Sequence, residues 1–233
     1  MKNGESISVI IPVYNEVQLL ERSVRYIDSF LATHFRDHEI IIVESGSTDG
    51  SAQVCRGLGA SLSRVLVIHE GARNGFGSAL RLGYSKAIKD LVWLITVDLP
   101  FSLEAIFSAL PLLSQYDCVL SYRVGDKRPI YKRFRSFVYN ALLKAVLGPK
   151  VKHINSAFKV FKREILQGLS LRSTGWLIDA EILYEISRRG VSYTEIPVEL
   201  TDRKSGRSSV GFFTPMFLIK ELADLLMTRS NCK

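Results

Sequence analysis

The sequence predicts an α/β fold, a mostly parallel central sheet flanked on both faces by helices. Three observations carry that expectation. Short apolar runs rich in β-branched residues alternate with amphipathic segments of helical period along the first half of the chain. Each run is bounded by polar or turn residues and is apolar nearly throughout, as strands buried on both faces are. Hydrophobic residues make up 47% of the 233, which allows a substantial core.

The elements follow in order. "ISVIIPVY" reads as the first strand and residues 17–33 as the first helix, then "HEIIIVES" with a helix over 51–59. "SRVLVIHE" precedes a helix over 76–89, "VWLITVD" precedes one over 103–114, and "DCVLSYR" is the fifth strand. Beyond residue 123 the pattern changes to a long basic and apolar helix, "IYKRFRSFVYNALLKAVLG", and a short strand, "SAFKVFK". A helix, "GWLIDAEILYEISRRG", and a strand, "VSYTEIPVEL", come next. The chain closes with "FFTPMFLIKELADLLM", apolar on most of its circumference but broken by Lys220, Glu221 and Asp224. No repeat, low-complexity tract or linker interrupts this order, so residues 1–233 read as a single domain.

The net charge of +8 is unevenly placed. Residues 123–163 hold 12 Lys or Arg and one acid, Asp126, so this segment carries +11 and the remainder −3. Such segregation points to an anionic partner, a nucleotide phosphate, a lipid phosphate or an acidic membrane surface. Nucleic acid is not expected, because no recognition-helix or RNP-type pattern accompanies the charge. No apolar run approaches the roughly 20 residues that cross a bilayer, and residues 1–8 lack a signal-peptide core, so the expected location is cytoplasmic. Cys55, Cys118 and Cys232 are odd in number and widely spaced, with no C-x-x-C or Cys/His pattern. They are expected to be reduced thiols and not a zinc site.

In a doubly wound sheet, ligands collect at the carboxyl ends of the strands. After the first strand stands "PVYNE", residues 12–16, and after the second "ESGSTDGS", residues 44–51. Small residues and Asp49 predict a tight turn and a helix N-cap there, leaving Glu44 and Ser45 to reach a base or sugar. "GARNGFGSALRLG", after the third strand, has the glycines of a phosphate loop but neither the Lys-Ser/Thr ending nor the dinucleotide spacing. Its glycines serve either a phosphate or close backbone packing. The fourth strand ends on one carboxylate, Asp98.

Seven segments, "ISVIIPVYNE", "IIIVESGSTDGS", "RNGFGSALRLGYSKA", the strand ending in Asp98, "SAFKVFKREIL", "DAEILYEISRRG" and "YTEIPVELTDRKSGRSS", fall in an order that resembles inverting family 2 glycosyltransferases of the GT-A fold. The resemblance is to the branch of dolichyl-phosphate mannose synthases and related polyprenyl-phosphate sugar transferases, and it covers most of the chain. It implies transfer of a sugar from a nucleotide diphosphate sugar, GDP-mannose or a UDP-hexose, to a polyprenyl or dolichyl phosphate. Residues 1–122 would bind the donor; residues 123–233 would bind the acceptor phosphate and face the membrane. The resemblance further implies that Pro12, Tyr14, Glu16, Glu44, Ser45, Asp49, Asn74 and Gly75 line the nucleotide-sugar pocket. Asp98 would sit at the D-x-D metal site, where Mg²⁺ or Mn²⁺ neutralises the departing diphosphate. Arg123 and Arg133 foremost, with Lys132 and Arg135, would clamp the acceptor phosphate and donor diphosphate. "DRKSGRSS" resembles a loop that closes over the donor phosphates, with Arg203, Lys204 and Ser208 supplying charge and donors and Gly206 the turn. Of Asp179 and Glu181, one is expected to face the cleft and the other to hold basic side chains. Asp98, Arg123, Arg133 and Asp179 form the expected catalytic set.

The sequence also departs from the family pattern. Thr96 stands where D-x-D has its first acid, and weaker metal affinity is the expected consequence of a single protein carboxylate. In "HINSAF", His153 and Ala157 replace the acid and glycine of D-x-x-S-G-F, and Ser45 replaces the second of an acidic pair. A hydroxyl acceptor would need a carboxylate base, whereas a lipid monophosphate, with a second pKa of about 6, needs none. Alternatives are therefore a transferase with a sugar or protein hydroxyl acceptor, with Asp179 as base, and a non-catalytic nucleotide-sugar or lipid-binding homologue. Phe134, Phe137, Val138, Ala141 and Ala145 make a helical stripe flanked by Lys and Arg, as in an interfacial helix drawn to anionic lipid. Residues 212–227 would lie beside it or bury into the fold, and the protein would be peripheral to the cytoplasmic membrane face or depend on a membrane-anchoring partner.

Overall fold

The computed structural model describes residues 4–126, 128–148 and 150–200, and of Lys132 the backbone alone. Arg203, Lys204, Gly206, Ser208, Cys232 and the segment 212–227 lie outside the described residues. Strands β1 (Ile7–Val13), β2 (His38–Glu44), β3 (Val65–His69) and β4 (Leu91–Leu94) are parallel and are joined by α1 (Val17–His34), α2 (Ser51–Ser61) and α3 (Phe76–Lys86). There follow α4 (Ile106–Ala109), β5 (Cys118–Val124), α5 (Ile130–Leu147), β6 (Lys159–Lys162), α6 (Arg163–Gly168), α7 (Ile178–Arg188) and β7 (Tyr193–Glu199). Among the described residues, seven strands join one sheet in the order β3-β2-β1-β4-β6-β5-β7. Of these, β6 runs against its neighbours β4 and β5, while β5 and β7 pair in parallel. The strand order reverses between β1 and β4, which opens a crevice at their carboxyl ends.

Both faces of the sheet are covered. Val9 and Ile11 of β1 pack with Leu20, Val24, Ile27 and Trp93 on one side, and Ile10 packs with Leu80, Tyr84, Val92 and Ile178 on the other. Because successive residues of β1 and β4 point to opposite faces and both are buried, these strands do not alternate with polar residues, whereas β7 alternates buried Ile196 and Val198 with exposed Pro197 and Glu199. Helix α3 seats closely on this layer: a Cβ at Gly83 would come within 2.5 Å of Ile10 Cγ2. Cys55 and Cys118 are buried free thiols whose pKa burial pushes up to about 12, so neither is a reactive thiolate.

Two helices differ from expectation. The segment 103–114 is not one helix but α4 between 3₁₀ turns Leu103–Ala105 and Leu110–Ser114, since Pro111 has no N–H to extend the ladder. Helix α3 ends at Lys86, short of residue 89, because the next backbone donors are taken elsewhere. The Ile88 N–H donates to Glu39 Oε1 (2.9 Å) and the Lys89 N–H to Ser8 Oγ (3.1 Å).

Helix α5 closes on Gly148, whose left-handed φ of 75° lets its N–H reach the Lys144 carbonyl at 2.9 Å. Asn140, Leu143 and Leu147 form its buried side, and Asn140 Oδ1 accepts the Ile154 N–H at 2.7 Å. The opposite side is apolar and exposed: Ile130, Tyr131, Phe134, Phe137, Val138, Leu142 and Val146 all face outward, with Ala141 and Ala145 among them. Among the described residues, no helix is long and apolar enough to cross a membrane.

Candidate active site at the carboxyl edge of the sheet

The turns after β1 and β2 are tied together by short polar side chains. Asn15 takes a left-handed backbone (φ 56°), which Asn tolerates. Its N–H donates to Ser47 Oγ (3.1 Å) and its side-chain oxygen accepts the Thr48 N–H (2.8 Å). Asp49 serves two helices: Oδ2 accepts the Val17 N–H at the start of α1 (3.1 Å), and Oδ1 accepts the Ser51 N–H (2.9 Å) and hydroxyl (2.6 Å) at the start of α2. Burial raises the Asp49 pKa, but these hydrogen bonds outweigh it and the net shift is downward. Asp49 is thus occupied in holding the frame. The Glu16 N–H donates to Ser51 Oγ (2.9 Å) as α1 begins, and Pro12 lies inside β1 opposite Val43.

Glu44 ends β2 as a buried carboxylate. Its Oε1 accepts the Ser47 N–H (2.5 Å) and its Oε2 lies 2.9 Å from His69 Nδ1. Burial pushes its pKa up, yet the Ser47 and His69 hydrogen bonds more than compensate and leave it lowered. Beside it, the Ser45 hydroxyl donates to Glu70 Oε2 (2.5 Å). The loop after β3 folds over both strand ends. The Arg73 guanidinium lies 4.3 Å from the centre of the Tyr14 ring, and a Cβ on Gly46, at φ 66°, would come within 2.8 Å of the Ala72 backbone.

The glycine-rich loop packs against residues 172–176. A Cβ at Gly75 would fall 2.3 Å from the Thr174 carbonyl oxygen, and one at Gly77 2.6 Å from that of Ser173. The Ser78 N–H donates to the Thr174 oxygen (3.1 Å), and the Phe76 and Trp176 rings stack at 4.8 Å. Close packing therefore accounts for Gly75 and Gly77. The strap is held from beneath by Glu181, wholly buried, which accepts the Arg172 N–H (3.1 Å) and Ser173 N–H (2.8 Å). Gly75 also has φ 102°, so Gly75→Ala is expected to cost at least about 2 kcal/mol of stability in urea unfolding.

Asp98 follows β4 in a tight turn. The Thr96 hydroxyl donates to Asp98 Oδ1 at 2.6 Å, and the Leu99 N–H returns to the Thr96 carbonyl (3.0 Å) with Leu99 at a strained φ of 44°. Among the described residues no group of three or more His, Cys, Asp or Glu is placed to hold a metal. The donors present, one carboxylate and a neighbouring hydroxyl, fit a hard divalent cation that takes its other oxygens from a diphosphate and water.

On the basic side, the Arg123 N–H donates to His153 Nδ1 (3.1 Å), so that nitrogen carries no proton. Burial holds the His153 pKa down, and the cations Lys144, Arg128 and Arg123 add to this against Glu195. Asp126 is bound through both oxygens by Arg128 (2.8 Å each), which drives its pKa far down, with Arg123 Nη1 at 3.7 Å. Arg133 and Arg135 are exposed on the first turns of α5, and Lys132 shares those turns. Asp179, at the start of α7, is buried with Oδ2 2.8 Å from the equally buried Lys159 Nζ. Four participants were not singled out from the sequence: His69, Glu70, Arg73 and Lys159. Two of them, His69 and Glu70, had a usable signal, since they close the third strand at its carboxyl end.

Residues 8–169 match the family model described as Glycosyl transferase family 2. The chain belongs to that family. Its mostly parallel sheet with flanking helices is the GT-A fold. Glucosyl-3-phosphoglycerate synthase from Mycobacterium tuberculosis, solved with Mn²⁺, UDP and glucosyl-3-phosphoglycerate, superposes with a TM-score of 0.69 at 20% identity, over 96% of this chain and 78% of that one. Mannosyl-3-phosphoglycerate synthase from Rubrobacter xylanophilus superposes with a TM-score of 0.70 at 17% identity, over 97% and 75%. These likenesses establish fold alone. In sequence, the family member is 28% identical over 209 residues to glycosyltransferase AglD of Haloferax volcanii, covering 84% of this chain and 33% of that protein. It is 29% identical over 229 residues to undecaprenyl-phosphate 4-deoxy-4-formamido-L-arabinose transferase of Klebsiella pneumoniae, covering 96% and 68%. The chain thus spans a third of the first relative's length and about two thirds of the second's.

Proposed function

We propose that this family 2 glycosyltransferase moves a sugar from a nucleotide diphosphate sugar, GDP-mannose or a UDP-hexose, to a polyprenyl or dolichyl phosphate at the cytoplasmic face of a membrane. The observation that carries the acceptor is α5. Its apolar side points away from the core, with Arg133 and Lys144 along one flank and Arg135 along the other. A stripe of that size has no reason to face water, and its basic borders fit an anionic lipid surface. The likeness to a transferase named for undecaprenyl phosphate supports the same class of acceptor.

In this reading Tyr14, Glu16, Glu44, Ser45, Asn74 and Gly75 surround the donor's nucleoside and phosphates. Arg123 and Arg133, with Lys132 and Arg135, draw in the acceptor phosphate, and Arg203, Lys204 and Ser208 are assigned the role of supplying charge and hydrogen-bond donors to the donor phosphates. A Mg²⁺ or Mn²⁺ held by Asp98 would supply charge neutralisation of the leaving diphosphate. A phosphate monoester is already an oxyanion near neutral pH, so the protein's work is to orient it for attack opposite the leaving group and to offset charge. No proton needs to be removed. That makes the engagement of Asp179 with Lys159 compatible with turnover.

The test is transfer of label from GDP-mannose, UDP-glucose and UDP-GlcNAc to a short polyprenyl phosphate, each with Mg²⁺, Mn²⁺ or EDTA. Label should enter lipid from one donor and only with metal; donor binding without transfer would favour a non-catalytic homologue. The membrane half is checked separately by sedimentation with phosphatidylglycerol vesicles. Phe134→Asp with Phe137→Asp is expected to weaken binding by about tenfold or more, and raised salt should weaken the parent protein's binding.

A further inference from the structure

Glu70 has no part in the proposed chemistry, yet it is where three separate pieces of the donor side meet. Its Oε2 accepts the Ser45 hydroxyl (2.5 Å) at the end of β2; its Oε1 accepts the Ser78 hydroxyl (2.6 Å) in the first turn of α3 and the Asn74 side-chain N–H (3.5 Å) in the glycine-rich loop. The Glu70 N–H also continues the sheet by donating to the Glu44 carbonyl (2.9 Å). Three residues further on, the same loop places Arg73 over Tyr14, and Ala72 lies against Gly46. The end of β2, the glycine-rich loop and the start of α3 are therefore held around a single carboxylate, and the same loop reaches the residue after β1 through Arg73.

Ser45 explains how a carboxylate can occupy this place. A hydroxyl donor 2.5 Å from Glu70 Oε2 satisfies that oxygen, whereas an acid at position 45 would offer it a second acceptor and no donor. We propose that Glu70 is the positioning residue of the nucleotide subsite, holding the glycine-rich loop against the β2 end so that Tyr14, Glu44 and Asn74 are fixed before the nucleotide arrives. This rests on the donor reading given above. The gain is preorganisation: loop ordering that binding would otherwise have to supply is supplied by three hydrogen bonds in the free protein.

The experiment is calorimetric binding of GDP and UDP in Mn²⁺ buffer to the unaltered chain, Glu70→Ala and Glu70→Gln, with melting curves for all three. Because Glu70 is only partly buried, both variants should fold. Glu70→Ala is expected to weaken binding of the preferred nucleotide about tenfold, close to 1.4 kcal/mol. Glu70→Gln keeps one acceptor oxygen for Ser78 and Asn74 and turns an amide N–H towards Ser45, whose rotated hydroxyl can accept it, so binding should stay within about threefold of the parent, about 0.65 kcal/mol. In transfer assays the alanine variant should raise the donor KM with little change in kcat. Unchanged or tighter binding by Glu70→Ala overturns the assignment, as does a glutamine variant as weak as alanine, which would make charge and not the hydrogen bonds the contribution. If the unaltered chain binds neither nucleotide, the donor reading falls and the inference with it; if it binds but the variants match it, the inference alone falls.

Discussion

Asp98→Asn is expected to abolish metal-dependent nucleotide binding and to lower sugar transfer by at least about 10²-fold, with the fold intact. The reason is arithmetic of charge. In the proposed reading Asp98, in the turn after β4 and bonded by the Thr96 hydroxyl, is the protein carboxylate that would hold the cation. An amide of the same size keeps an acceptor for the Thr96 hydroxyl, now 2.6 Å away, and so leaves the turn in place while removing the charge. Titration of Mn²⁺ with UDP or GDP, followed by calorimetry, separates this from misfolding: the parent should show nucleotide binding that EDTA removes, and the variant none that metal restores. Metal-dependent binding that survives in Asp98→Asn would sink the assignment. Thr96→Asp is the reciprocal arm. It places a second acid two residues before the first and should tighten metal affinity; no change would mean that the Thr96 side does not face the cation.

Asp179→Ala is expected to cost about 3–5 kcal/mol of stability, seen as a fall in Tm on the order of 10 °C. It would leave the Lys159 ammonium, 3% exposed, without its partner 2.8 Å away. The double variant Lys159→Met with Asp179→Leu removes both charges and should recover most of that loss. The pair also bears on mechanism. With a lipid phosphate as acceptor no base is required, and the folded double variant should keep transfer within about tenfold of the parent. A folded double variant slowed by about 10³-fold would instead mean that the Asp179 carboxylate acts on substrate and would favour a hydroxyl acceptor. Asp179 Oδ1 is buried and has no hydrogen-bond partner among the described residues, which adds to the cost of keeping this charge inside.

The inner strands were legible because they are sandwiched between helices, so β1, β2 and β4 are apolar along most of their length and the runs stand out without any knowledge of their neighbours. The loops at the strand ends were legible for a related reason: turns demand Gly, Asn, Asp and Ser wherever they occur. Helix ends were harder. The end of α3 depends on Ser8 and Glu39, side chains 81 and 49 residues away from the N–H groups they take. Glu70 read as the polar border of a strand, and nothing local says that Ser45 and Ser78 converge on it. Lys159 read as an ordinary strand lysine, because burial of its ammonium depends on Asp179 twenty residues later. The exposure of the α5 stripe was also undecidable from period alone, since the same stripe would suit a core-facing helix.

By itself, then, the sequence determined the alternation of strands and helices, the parallel sheet and the edge at which its acids and glycines gather, since these follow from local periodicity and turn chemistry; the family came from the resemblance of its ordered motifs. Tertiary structure alone decided which distant polar groups are joined in holding the frame, as Glu70 and Glu181 are, and which side of α5 meets solvent. The physical reason is that hydrogen bonds and ion pairs act over about 3 Å in space, a distance that packing sets and sequence separation does not.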